Sequence, residues 1–75
     1  MEKKVWGVLV IGCGHIGQEH LRDIYYRENV RVVAVVDYNP ELARVCSKKY
    51  SGGSPVEYGT DYREFIKRDD VDIVI

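Results

Sequence analysis

The run Gly12-Cys13-Gly14-His15-Ile16-Gly17 constrains this chain more than any other feature. It leaves a nearly unbroken apolar stretch, Val5 to Ile11, and opens a segment in which Gly17, Leu21, Ile24 and Glu28 recur at helical spacing. Consecutive apolar residues suit a parallel strand covered on both faces, whereas the later spacing puts Gly17, Leu21 and Ile24 on one side of a helix with Tyr25 beside them. A second apolar stretch, Val30 to Val36, is broken only by Arg31 and ends at Asp37. The opening of the chain therefore reads strand, glycine turn, helix, strand, acid.

The same alternation continues. Asn39 is placed to cap a second helix whose first turn takes Pro40, where no amide hydrogen is needed. Leu42, Ala43, Cys46 and Tyr50 form its apolar stripe, and Ser51-Gly52-Gly53-Ser54-Pro55 ends it in a turn-rich loop. Val56-Glu57-Tyr58 is a short third strand and Val71 to Ile75 a β-branched fourth. Between them, Asp61 stands three residues before Glu64, a capping-box spacing that predicts a third helix burying Tyr62, Phe65 and Ile66. The order β-α-β-α-β-α-β implies an α/β fold with a parallel sheet, right-handed crossovers and strand order 3-2-1-4. The first two helices fall on one face and the third alone on the other.

Gly12 to Gly17 is a G-x-G-x-x-G pattern, common by chance, but here it joins a strand to a helix, with Asp37 about 20 residues beyond its last glycine. That conjunction is the dinucleotide-binding fingerprint of a Rossmann sheet, here a partial one. Gly12 permits the tight turn, Gly14 has no side chain to block a pyrophosphate, and Gly17 lets the helix approach the sheet. The free amides of His15 and Ile16 face the phosphates, helped by the helix dipole. Asp37 can accept hydrogen bonds from both adenosine ribose hydroxyls and would repel a 2′-phosphate, and neither Tyr38 nor Asn39 supplies a cation, so NAD is expected over NADP. Tyr38 can lie against the adenine or simply be an exposed aromatic after the strand. Glycines at such a turn can also serve geometry alone, with Asp37 assisting the next helix. An S-adenosylmethionine site fits less well, because Ile16 stands where its G-x-G-x-G spacing wants glycine.

Composition excludes several other classes. Eleven basic and twelve acidic side chains give a net charge of −1, which argues against a general grip on nucleic acid or anionic lipid. No stretch approaches the roughly 18 apolar residues of a membrane span. Met1 to Lys4 before Val5 to Ile11 outlines a secretory leader, but the apolar run is short and no small-residue cleavage site follows. With two cysteines in 75 residues the chain has no disulfide framework, and a reducing, cytoplasmic setting is expected. His15 and His20 are five apart and do not make a metal pair on a helix. Cys13 stands at a helix start, where a thiolate is favoured, yet between two glycines it reads as a small filler of a tight turn.

Taken together, the blocks Gly12 to Gly17 with His20 following, Val33-Ala34-Val35-Val36-Asp37 leading to Asn39-Pro40-Glu41, Tyr58-Gly59-Thr60-Asp61-Tyr62, and Asp69-Asp70-Val71-Asp72-Ile73-Val74-Ile75 resemble the N-terminal part of the Gfo/Idh/MocA oxidoreductases. The resemblance implies a nicotinamide cofactor and a substrate among sugars, polyols and related compounds, held by a second α/β domain. The family's Glu-Lys-Pro segment with its catalytic lysine, and the Asp and His near the substrate, have no counterpart here, so no catalytic residue is expected among these 75. Residues 1–75 are then expected to form a single, incomplete dinucleotide-binding domain without its substrate domain. Two other functions compete: a nucleotide-sensing module without catalysis, and a half-sheet that dimerises without ligand. Self-association is expected in any case, through the open edge of the fourth strand or the bare sheet face beside the first.

Overall fold

The computed structural model describes residues 4–52 and 55–75. Met1 to Lys3 of the leader-like opening, and Gly53 and Ser54 of the turn-rich loop, lie outside the described residues. Strands β1 (Trp6–Ile11), β2 (Val30–Val36), β3 (Glu57–Gly59) and β4 (Ile73–Val74) form one sheet in the order β3-β2-β1-β4, every pair parallel. Helices α1 (His15–Tyr25) and α2 (Pro40–Lys49) make the first two crossovers. The expected topology and strand order are observed.

The two central strands are buried on both faces, as their unbroken apolar character requires. On one face Val8, Val10, Val32 and Val35 pack with Leu21 and Ile24 of α1 and with Cys46 and Tyr50 at the end of α2. On the other, Leu9, Ala34 and Val36 pack with Phe65, and Val71 joins them. The alternation in β2 is not regular. Val8 pairs with Val32 but Leu9 pairs with Ala34, so Val33 is the extra residue of a bulge. The bulge keeps Ala34 and Val36 under Phe65 while Val32 and Val35 face the helices.

Helix α2 begins as its sequence requires: the Asn39 side-chain oxygen accepts from the amides of Glu41 (3.0 Å) and Leu42 (3.3 Å), and Pro40 occupies the first helical position. Its stripe of Ala43, Cys46 and Tyr50 is buried, with Leu42 partly so.

The third helix is the main departure from expectation. Only a 3₁₀ turn forms, Tyr62–Glu64, followed by further tight turns with Arg68 donating to the Phe65 carbonyl and Val71 to that of Arg68. Asp61 does cap this turn, but its carboxylate accepts from the Arg63 amide at 3.0 Å and pairs with the Arg63 guanidinium, and Glu64 takes no part in a capping box. Of the expected apolar trio only Phe65 is buried, whereas Tyr62 and Ile66 stay partly exposed, at 44% and 40%. The cause is the short path. Residues 62–71 must descend the whole sheet face and re-enter beside β1, and Arg68 holds them near the sheet by bonding both Glu57 and Asp70. Arg68 also holds the Asp70 carboxyl below the usual carboxylate range.

Where this segment re-enters, it meets Gly7. The Gly7 amide donates to Asp72 Oδ2 at 2.9 Å, its carbonyl accepts from the Asp72 amide at 2.8 Å, and a side chain on Gly7 would collide with the Asp70 carbonyl. The strand proper is shorter than the expected Val71 to Ile75, but ladder bonds extend it, with Ile75 donating to Leu9 (3.0 Å) and accepting from Ile11 (2.9 Å). Ile73, Val74 and Ile75 leave an apolar, partly exposed outer edge.

Candidate functional site

At the carboxyl ends of β1 and β2, where ligands bind in open parallel sheets, the glycine turn and Asp37 come together. The Gly12 amide donates to the Val36 carbonyl at 2.6 Å and the Cys13 amide to Asp37 Oδ2 at 2.8 Å. Asp37 Oδ1 accepts from the Asn39 amide at 2.9 Å. One carboxylate thus ties the glycine turn to the entry of α2. A carboxylate offers about four lone-pair sites, so these two bonds leave it able to accept from two vicinal hydroxyls. Its two roles, the ribose acceptor and the helper at the next helix, are compatible.

The three glycines of the motif have three different physical reasons. Gly12 has φ of +99°, a conformation that a side chain disfavours. Gly17 is needed for close approach, although its neighbour is not the one expected. A Cβ there would collide with the Gly12 carbonyl, so Gly17 lets the first turn of α1 sit against the glycine turn itself. Gly14 has neither reason. Its φ is −75°, open to any residue, and beyond its own chain neighbours no protein atom lies within 4 Å of the position its Cβ would take.

That open space lies over the start of α1. Gly14 is the N-cap residue, no side chain caps the helix, and its first turn holds no acidic residue. The first amides of the helix are therefore left for an external acceptor, and the dipole there is not neutralised. His15 and Ile16 are exposed, with the His15 ring turned toward Glu19 at 3.6 Å. An open depression here is lined by Ile11, Gly12, Gly14, Ile16, His20 and Ile75 among others. A nicotinamide dinucleotide fits this donor set: a bare backbone and free amides for a pyrophosphate, and a carboxylate for a ribose.

A second, smaller cleft of about 100 Å³ adjoins Asp37 between Ile11, Val36, Tyr38, Thr60 and Tyr62. Tyr38 is 98% exposed, so it forms a rim and not a wall. Thr60 and Tyr62 were not foreseen as site residues. Their signal was the short third strand, which delivers them to the same sheet end as Asp37. Beyond them lies Arg63, bound to Asp61.

Cys13 is fully buried, and burial, followed by the neighbouring Cys46, pushes its thiol up to about 12. Burial therefore prevails over the helix start, and the side chain serves packing. Among the described residues no helix is long and apolar enough to cross a membrane.

The sequence model of an oxidoreductase family with an NAD-binding Rossmann fold matches residues 6–75. Inositol 2-dehydrogenase of Burkholderia ambifaria is 42% identical over 67 residues, which are 88% of this chain and 19% of the relative. A 3-ketoreductase of Actinomadura kijaniata in complex with NADP superposes with a TM-score of 0.76 at 30% identity, over 95% of this chain and 22% of that one. A protein of gentamicin A biosynthesis in complex with NAD shares the fold, with a TM-score of 0.86 at 21% identity over 99% of this chain and 20% of the other. The chain thus spans about a fifth of the length of these relatives. With the family's sequence matched from β1 through β4 and its sheet order reproduced, the chain belongs to the Gfo/Idh/MocA oxidoreductases, in their NAD-binding Rossmann part.

Proposed function

We propose that these residues hold the adenosine and pyrophosphate of a nicotinamide cofactor for a dehydrogenase of polyols or sugars, and that they prefer NAD to NADP. The observation that carries the reading is Gly14, a glycine with an ordinary backbone conformation and empty space where its side chain would stand, set over uncapped amides. Nothing inside the fold requires glycine there. A pyrophosphate approaching the backbone does. In this reading Gly12, Gly14 and Gly17 shape the cradle, the amides of His15 and Ile16 donate to the phosphates, Asp37 accepts from the ribose, and Tyr38 and Tyr62 border the adenine.

The bound nicotinamide would accept a hydride from the substrate carbinol carbon. The side chains that orient that carbon and take the proton of its hydroxyl as the carbonyl forms are not among those gathered at this site, so a substrate domain beyond these 75 residues is part of the proposal. The polyol or sugar class rests on the inositol dehydrogenases among the relatives. Taking the adenosine and pyrophosphate contacts as about half of a full set, an affinity on the order of mM to tens of μM, about 4 to 6 kcal/mol, is expected of the chain alone.

The preference for NAD rests on the charge of Asp37 and on the state of the nearest cation. Arg63 lies in the depression beyond Tyr38 but is engaged by Asp61, so a 2′-phosphate would meet a carboxylate before any free cation. Asp37→Ser should weaken NAD binding by roughly 1.5 to 3 kcal/mol, the range for hydrogen bonds to a charged group, and weaken NADP less. Calorimetric titration of both nucleotides against the variant, with its fold checked by circular dichroism, reads the difference. Equal loss of both would assign Asp37 to the fold alone and remove the basis for discrimination.

A further inference from the structure

The glycine turn is held from beneath by a side chain outside the motif. Gln18, one residue beyond Gly17, donates from Nε2 to the Cys13 carbonyl oxygen at 3.1 Å. The Cys46 thiol approaches the same oxygen at 3.9 Å from α2. The other end of the Gln18 amide accepts from Lys49 Nζ at 3.5 Å, and the Tyr50 hydroxyl donates to the Gln18 backbone carbonyl at 3.4 Å. Gln18 is thereby strung between the glycine turn and the last turn of α2.

The Cys13 carbonyl shares its peptide plane with the Gly14 amide. In a planar trans peptide the C=O and N–H point opposite ways, and no peptide bond among the described residues is cis. Two donors hold the carbonyl on the buried side, so the Gly14 N–H is turned away from the core, at a residue that is itself exposed. Without them the plane has an easy alternative, because a glycine on one side of it accepts either sign of φ. Rotation would aim a carbonyl, an acceptor, at the place where an anion is to sit.

We propose that Gln18 is a positioning residue for pyrophosphate: by pinning the Cys13 carbonyl it fixes the Gly14 N–H as a donor to the bound phosphates. The proposal rests on the cofactor reading above and adds to it a residue outside the glycine motif. It separates two parts of the ligand. The ribose is held by Asp37, whose bonds to Cys13 and Asn39 do not pass through Gln18, whereas the phosphates depend on the plane that Gln18 holds.

The test uses Gln18→Met, which keeps the length of the side chain and removes its donor, with ¹H–¹⁵N spectra followed as ADP or adenosine is added. ADP should bind about tenfold more weakly than to the unmodified chain, the worth of one good hydrogen bond, and adenosine unchanged. The Gly14 amide resonance should already differ in the unliganded variant. Equal weakening of ADP and adenosine, or ADP binding that does not change, overturns the proposal while leaving the cofactor reading in place. Failure of the unmodified chain to bind ADP overturns both. Should the variant not fold, the unmodified chain decides: the Gly14 amide should move on adding ADP and not adenosine, and an unmoved Gly14 with ADP bound overturns the proposal.

Discussion

Gly14→Ala should leave the protein as stable as before and unable to bind NAD. The backbone at Gly14 suits alanine, with φ of −75° and ψ of −163°, and beyond its chain neighbours the added methyl meets no protein atom within 4 Å. Alanine is a poorer N-cap than glycine by some tenths of a kcal/mol, but it removes freedom from the unfolded chain by a similar amount, so the net change in stability is expected within about 0.5 kcal/mol. Binding is another matter. The methyl occupies the space through which phosphate oxygens reach the first amides of α1, and losing two charge-assisted hydrogen bonds costs about 3 kcal/mol, roughly a hundredfold in affinity. For a chain of modest affinity that places NAD beyond detection. Thermal melts and calorimetry on the same sample check both halves. A variant that binds NAD normally would show that the empty space is not where the phosphates lie.

Gly17→Ala should have the opposite character, a large loss of stability. Its methyl would overlap the carbonyl of Gly12, a backbone group that cannot rotate aside. To relieve the overlap α1 must shift away from the turn, which disturbs Leu21 and Ile24 on the same helix face and the sheet residues beneath them. Overpacking of this kind costs about 1 to 3 kcal/mol or more. A fold of this size holds roughly 4 to 11 kcal/mol in all, so a fall in melting temperature of more than about 10 °C is expected. Circular dichroism melts measure it directly. A variant that melts within about 2 °C of the unmodified chain would mean that α1 has room to move, contrary to the packing described here.

These two variants replace the same residue type for different reasons, and the place of each glycine in the motif already gave them different tasks, Gly14 the approach of a pyrophosphate and Gly17 the approach of the helix. Motif spacing identified Gly12, Gly14 and Gly17 together, because each lies where a strand becomes a helix. Only the coordinates reveal that Gly17 is needed against the Gly12 carbonyl and Gly14 against nothing in the protein. Local signals were legible where local chemistry decides the outcome: Asn39-Pro40 starts α2 through bonds confined to four residues, and the unbroken runs in β1 and β2 report burial on both faces. Asp61 was legible as a cap, but the helix expected after it was not realised, since what sets the course of residues 62–71 is the distance back to β1 and the anchoring of Arg68 to Glu57 and Asp70. Gly7 carried no local signal at all. It sits inside an apolar strand, and its need to be glycine comes from Asp70, far along the chain. Gln18 was missed because its bond to Cys13 depends on how the glycine turn folds back over α1, and its other partners, Lys49 and Tyr50, reach it only through the packing of α1 beside α2.

The site of contact with NAD decides between these expectations and any other use of the fold. In a ¹H–¹⁵N titration of the uniformly labelled 75-residue chain, NAD should shift the amides of Gly12 to Gly17 and those of Asp37, Tyr38, Thr60 and Tyr62, with the opposite end of the sheet unmoved. That end offers its own hollow of about 230 Å³ beside Tyr25, Arg31 and Tyr50, which serves as an internal control. Shifts centred there, or none anywhere at NAD concentrations of about 10 mM, well above the expected dissociation constant, would contradict the cofactor reading.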